Sequence, residues 1–217
     1  MKKIAVLLSG SGVFDGSEIH ESVLTLLALS KLEVEYQCFA PNIEQMHVVN
    51  HLTGEVESGE SRNVLVESAR IARGEILPTD ALLIEEFDAL IIPGGFGAAK
   101  NLCNFATNGS DCEISPLVSE FVAEFATTNK PVGFICIAPI MIPRLYGEGV
   151  IATIGNDSET AQAFNLMGGC HQDAIVEDIV VDEKNKIVST PAYMLAGNIA
   201  EASIGIEKLV KKVVEMV

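Results

Sequence analysis

Gly133-Phe134-Ile135-Cys136-Ile137-Ala138-Pro139 decides how this chain is read. An apolar run from Pro131 to Ile135 ends in a single cysteine, and small and proline residues then open a helix-like segment over residues 138–146. That order puts a sulfur on a sharp strand-to-helix turn, the geometry of a nucleophile elbow. N–H groups at a helix start stabilise a thiolate and so raise its nucleophilicity, and they can also hold a developing oxyanion. The first expectation is therefore a cysteine-dependent enzyme.

Outward from the elbow, strand-like and helix-like segments alternate. Residues 4–8, 34–39, 89–92, 132–136, 150–154 and 187–189 are short and rich in Ile, Val or Leu. Most are continuously apolar, as in strands buried on both faces. Helical periodicity runs through 17–30, 63–72, 117–128, 159–167 and 194–217. In the last, Ile206, Leu209, Val210, Val213, Val214 and Val217 share one face. The alternation predicts an α/β fold, a mostly parallel sheet with helices on both faces. Residues 41–62 read as a hairpin or excursion off the sheet edge. Asp182-Glu183-Lys184-Asn185-Lys186, between two apolar runs, predicts a hairpin within 176–189. With no repeat, low-complexity tract or linker, residues 1–217 read as one domain.

The formal charge of −16 leaves nothing to neutralise a phosphate backbone, so a nucleic-acid partner is not expected. Lys2-Lys3 and the apolar residues 4–8 superficially mimic a secretion signal, but Ser9-Gly10-Ser11-Gly12 ends the run too early. No apolar stretch approaches the roughly 18 residues of a membrane span, so no membrane association is expected. The cysteines (Cys38, Cys103, Cys112, Cys136, Cys170) are odd in number and irregularly spaced, which reads as reduced thiols in a cytoplasmic protein.

In an open α/β sheet, ligands bind beyond the carboxyl ends of the strands. Three loops fall there: residues 9–21, residues 93–100 and the Cys136 turn. The first ends in Ser17-Glu18-Ile19-His20-Glu21 at a helix start. Glu18 or Glu21 can serve as proton acceptor beside the thiol, or the acids can simply favour the helix's positive end with Ser17 as its cap. His20 reads as a packing or surface residue. Gly94-Gly95 lets the backbone approach a ligand and aim N–H groups at it, as an oxyanion hole or as a plain tight turn. The Gly-Lys-Ser/Thr ending of a phosphate loop is missing, and Gly10-Ser11-Gly12 lacks the third glycine of a dinucleotide fingerprint. Cys170-His171 near Asp173 hints at metal ligands, but strand neighbours point to opposite faces. No metal and no cofactor are expected. None of the histidines follows Cys136 closely, so a standard triad is unsupported.

The segments Ile92-Pro93-Gly94-Gly95-Phe96-Gly97-Ala98-Ala99-Lys100-Asn101-Leu102, Phe134-Ile135-Cys136-Ile137-Ala138-Pro139 and Thr190-Pro191-Ala192-Tyr193-Met194 resemble the ThiJ/PfpI superfamily, within the class I glutamine amidotransferase-like proteins. Residues 9–21 and Asn50-His51-Leu52-Thr53-Gly54-Glu55 resemble more closely its ElbB branch, the amidotransferase-like glyoxalases. The resemblance implies a flavodoxin-like three-layer sandwich, a homodimer and a site without cofactor. It assigns Cys136 as nucleophile, Glu21 as the site glutamate with Glu18 as second candidate, and the N–H groups of Gly95 and Ile137 as oxyanion donors beside Gly94. Many members of the superfamily place a histidine after the cysteine or after the next strand. Ile137 and Gly155-Asn156 stand there instead, so amidotransferase and protease activities are not expected. The implied activity is slow, glutathione-independent conversion of glyoxal or methylglyoxal to glycolate or lactate. The alternatives are a cysteine-based redox or stress-response interaction protein and an accessory protein of isoprenoid metabolism.

Overall fold

The computed structural model describes residues 2–217. In chain order the elements are β1 (Lys3–Leu7), α1 (Ile19–Lys31), β2 (Glu35–Ala40), α2 (Val64–Ile71), β3 (Ile76–Pro78), β4 (Ala89–Ile92), α3 (Phe105–Asn108), α4 (Pro116–Thr127), β5 (Val132–Ile135), α5 (Ile142–Tyr146), β6 (Ile151–Ala152), α6 (Ser158–Leu166), β7 (Cys170–His171), β8 (Val180–Asp182), β9 (Ile187–Thr190) and α7 (Ile199–Glu215). Seven strands form one sheet in the order β3-β2-β1-β4-β5-β9-β8. Every pairing in it is parallel except β8 with β9.

Alternate residues of each strand feed two separate cores, which explains the continuous apolarity of the strands. Leu7, Phe39, Ile92 and Phe134 pack under α4, α5 and α6, meeting Phe121, Phe125 and Phe164. Val6, Cys38, Ile91 and Val188 face the other way, toward Leu29 of α1 and Ile206, Leu209 and Val213 of α7. The result is the expected flavodoxin-like α/β sandwich. No helix among the described residues is long and apolar enough to cross a membrane.

One expectation is corrected and two features are added. Residues 150–154 do not join the main sheet; Ile151–Ala152 pairs with Cys170–His171 in a separate two-stranded ladder. The edge strand β3 was not foreseen, because three residues ending in proline carry no periodicity. The 41–62 segment leaves the sheet edge but folds back over the carboxyl end of β1, as described below. The 176–189 hairpin forms, with Asp182 accepting from Asn185 N at 3.0 Å in its turn.

Strand order reverses between β1 and β4: the chain builds outward to β2 and β3 on one side, and to β5 and β9 on the other. Loops leaving β1 and β4 must diverge there, opening a crevice, and the elbow after β5 borders it.

Candidate active site

The turn after β5 places Cys136 at φ +64°, a left-handed conformation that side chains rarely adopt. That backbone turns the thiol toward the crevice, where it is buried except for 7% of its surface. The N–H groups of Gly95 and Ile137 point at the sulfur.

Glu21, in the first turn of α1, has no exposed surface. Its carboxyl group hydrogen-bonds to the Cys136 side chain. One carboxyl oxygen accepts from Tyr193 N at 3.1 Å and the other from Gly94 N at 3.0 Å. Thiol and carboxyl thus share a hydrogen bond, and each has its own pair of backbone donors. Burial is the largest influence on both groups. It raises Glu21 to about 8 against the lowering effect of the Tyr193 N–H, and pushes the Cys136 thiol well above its ordinary value, with the Glu21 charge adding to the rise. At neutral pH the pair therefore holds both protons, and the first to leave gives an anion already solvated by the backbone.

Glu18 takes a different place. It is the N-cap of α1, its Oε2 accepting from Glu21 N at 2.6 Å, while its side chain lines the cavity above Cys136. Ser17, expected as the cap, instead accepts from Ser9 N at 2.8 Å and holds the loop together. Gly94 and Gly95 are needed for close approach. A Cβ on Gly94 would stand 2.4 Å from Cys136 Cβ, and one on Gly95, whose φ is +90°, would stand 2.3 Å from Glu18 N.

Three of the four histidines hydrogen-bond outside the thiol–carboxyl pair, while the buried Nδ1 of His47 has no partner among the described residues. His20 Nδ1 is paired with the Tyr193 hydroxyl at 2.8 Å, His51 Nε2 accepts from Phe14 N at 3.2 Å, and His171 Nε2 accepts from Ile154 N at 3.1 Å. Cys170 is exposed whereas the His171 side chain is buried, as opposite faces of a strand require.

Tyr193, Asp15 and Asn101 also build the site, with little local sign of it in the sequence. Tyr193 follows β9 and supplies a backbone donor, a role its side-chain type does not advertise. Asp15 and Asn101 lie inside the quoted glycine-rich stretches and are nearly fully buried. Asn101 Nδ2 donates to Ser9 O at 2.9 Å and Asp15 O at 2.8 Å, and its Oδ1 accepts from Met46 N at 2.9 Å. Asp15 Oδ2 accepts from Val49 N at 2.7 Å. These bonds fold the 41–62 excursion over the crevice, where Val49 and Val56 bridge and line the cavity. A buried acid and amide in a glycine-rich loop were the available signal.

No protein-family model matches the chain. It is 44% identical over 223 residues to the human glutamine amidotransferase-like class 1 domain-containing protein 3, mitochondrial, across 99% of this chain and 83% of that protein. The crystal structure of an isoprenoid biosynthesis protein with amidotransferase-like domain from Ehrlichia chaffeensis is similar at a TM-score of 0.93 and 41% identity, across 100% of this chain and 99% of that one. Drosophila melanogaster DJ-1beta shares the fold at a TM-score of 0.55 and 16% identity, across 99% of this chain and 97% of that one. A likeness that spans the whole sequence makes this chain a member of the glutamine amidotransferase-like class 1 domain family, on the fold it shares with DJ-1beta.

Proposed function

We propose that the protein is a cofactor-independent glyoxalase of the ElbB-like branch, acting on a small 2-oxoaldehyde through Cys136. The observation that carries this reading is the hydrogen bond between a buried thiol and a buried carboxyl group, each with its own pair of N–H donors. The sulfur adds to the aldehyde carbon, its proton passing to the carbonyl oxygen, and a hemithioacetal forms. Once bonded to carbon the sulfur no longer needs the Gly95 and Ile137 N–H groups, which become available to the substrate oxygen beside it; one such donor is worth roughly 3 kcal/mol in comparable sites. Ionised Glu21 removes the proton from that carbon and returns it to the neighbouring carbon through an enediolate. Water then cleaves the thioester, releasing lactate from methylglyoxal or glycolate from glyoxal.

The test is lactate formation from methylglyoxal without glutathione, followed against pH. Because Glu21 must lose its proton to act as base and burial holds it at about 8, turnover is expected to climb between pH 6 and 9 with a midpoint near 8. A profile flat across that range, or one complete by pH 5.5, would remove Glu21 from the role.

A homodimer completes the proposal. Ile19, Val23 and Leu27 are spaced four apart on α1 and stand 44, 48 and 45% exposed, a helical stripe of the kind that monomers seldom leave in water. Sedimentation at micromolar concentration is expected to show a dimer, and Val23→Glu to shift it toward monomer by placing a charge in the stripe. A native monomer at that concentration would end the proposal. We place the protein in the cytoplasm on its odd number of irregularly spaced cysteines, and the mitochondrial name of the human relative makes the mitochondrion the rival that fractionation would test. An accessory role in isoprenoid metabolism is favoured by the name of the Ehrlichia chaffeensis protein alone. Binding to an isoprenoid-pathway enzyme would support it.

A further inference from the structure

The cavity outside Cys136 measures about 800 Å³, in the range that encloses ligands of drug-like size. Glyoxal and methylglyoxal fill a small corner of it. The walls are largely apolar, formed by Val13, Phe14, Val49, Val56, Phe96 and Phe105. The enclosure is built. Asp15 and Asn101, each 5% exposed, use their hydrogen bonds to pin the 41–62 segment over the crevice. The Asn50–Glu55 turn closes with Asn50 N donating to Glu55 O at 2.9 Å.

The charged groups in the wall are already engaged. Lys100, the one cation among the lining residues, donates from Nζ to Phe14 O at 2.7 Å. Glu18 and Asp157 are N-caps that accept from Glu21 N and Thr160 N. With two acids, one occupied lysine and an overall charge of −16, the cavity disfavours a phosphorylated or otherwise anionic tail.

We propose that this cavity is a subsite for an extended neutral apolar chain attached to the reacting carbonyl. On the glyoxalase reading, on which the substrate class rests, the preferred substrate is a 2-oxoaldehyde with a long alkyl chain. Each methylene buried is expected to raise affinity about fourfold.

Two measurements on the native protein test this. The first is kcat/KM for methylglyoxal, 2-oxohexanal and 2-oxooctanal. The second is calorimetric binding of propane-, hexane- and octane-1,2-diol, which are neutral and unreactive. Both are expected to climb with chain length, reaching at least about a hundredfold by eight carbons, and Val56→Glu, which puts a charge in the apolar wall, is expected to cut that ratio at least tenfold. Methylglyoxal turnover with a flat or falling aldehyde series would overturn the subsite and leave the glyoxalase reading standing. Diol affinity that climbs with chain length while no aldehyde is turned over would keep the subsite and sink the glyoxalase reading. A flat diol series in the absence of turnover would overturn both.

Discussion

Cys136→Ser is expected to lower methylglyoxal turnover by roughly a thousandfold or more, the scale of losing a nucleophile. A hydroxyl is isosteric enough to keep the elbow at φ +64° and to accept from the Gly95 and Ile137 N–H groups, so folding is not at stake. What it loses is the anion. A serine hydroxyl is a far weaker acid than a thiol, and its neutral oxygen is a far poorer nucleophile toward the aldehyde. The measurement is steady-state lactate formation, with thermal unfolding within a few degrees of native as the control. Equal turnover in both proteins would exclude covalent catalysis by this sulfur. The redox alternative would then be judged by whether mild peroxide modifies Cys136.

Glu21→Gln produces effects of opposite sign on chemistry and on the thiol. Turnover is expected to fall about a hundredfold to ten-thousandfold, the contribution of a positioned base. The removed carboxylate charge was raising the thiol, so alkylation of Cys136 by iodoacetamide is expected to reach its half-maximal rate at lower pH than in the native protein. Because unfolding would also expose the thiol, the control is a thermal transition and a circular-dichroism spectrum that match the native protein. If turnover survives, Glu18 in the cavity wall inherits the role of base.

The same substitution has a stability signature. Glu21 titrates near 4.5 when unfolded and at about 8 when folded, so between those values the folded state binds more protons. Stability contributed by the protonated group is full below about pH 4.5 and is lost as pH rises through 8, by on the order of 5 kcal/mol. The variant is expected to lack this slope. At pH 5 it should be the less stable protein, since an amide cannot accept both the Gly94 and Tyr193 N–H groups. Near pH 8.5 the difference should narrow or reverse. Urea unfolding at the two pH values measures this, and parallel curves would contradict the buried-acid description.

Much of this molecule was legible in its residues. Continuous apolar strands announced a sheet buried on both faces, because period-2 alternation disappears when both faces meet a core. The elbow was legible at Cys136, because a strand residue followed at once by Ala138-Pro139 leaves a sharp turn as the ready solution. The glycines at 94 and 95 announced close approach, since a Cβ there has nowhere to go. Each of these signals lies within a few adjacent residues, where backbone sterics and burial act locally.

Tertiary structure alone decided which glutamate faces the sulfur. Glu18 and Glu21 are three residues apart in one helical start; the family resemblance put Glu21 first, but the residues themselves left both open. The bend of the loop onto Gly94 and Tyr193 buries Glu21 and leaves Glu18 as cap and cavity wall. The fold also turned the 41–62 segment from an edge excursion into a roof, through Asp15 and Asn101 bonds to residues dozens of positions away. Such pairings have no local signature. They are fixed by which chain ends the sheet order brings together at the β1–β4 crevice, and the pKa of Glu21, on which the proposed chemistry depends, follows from that burial.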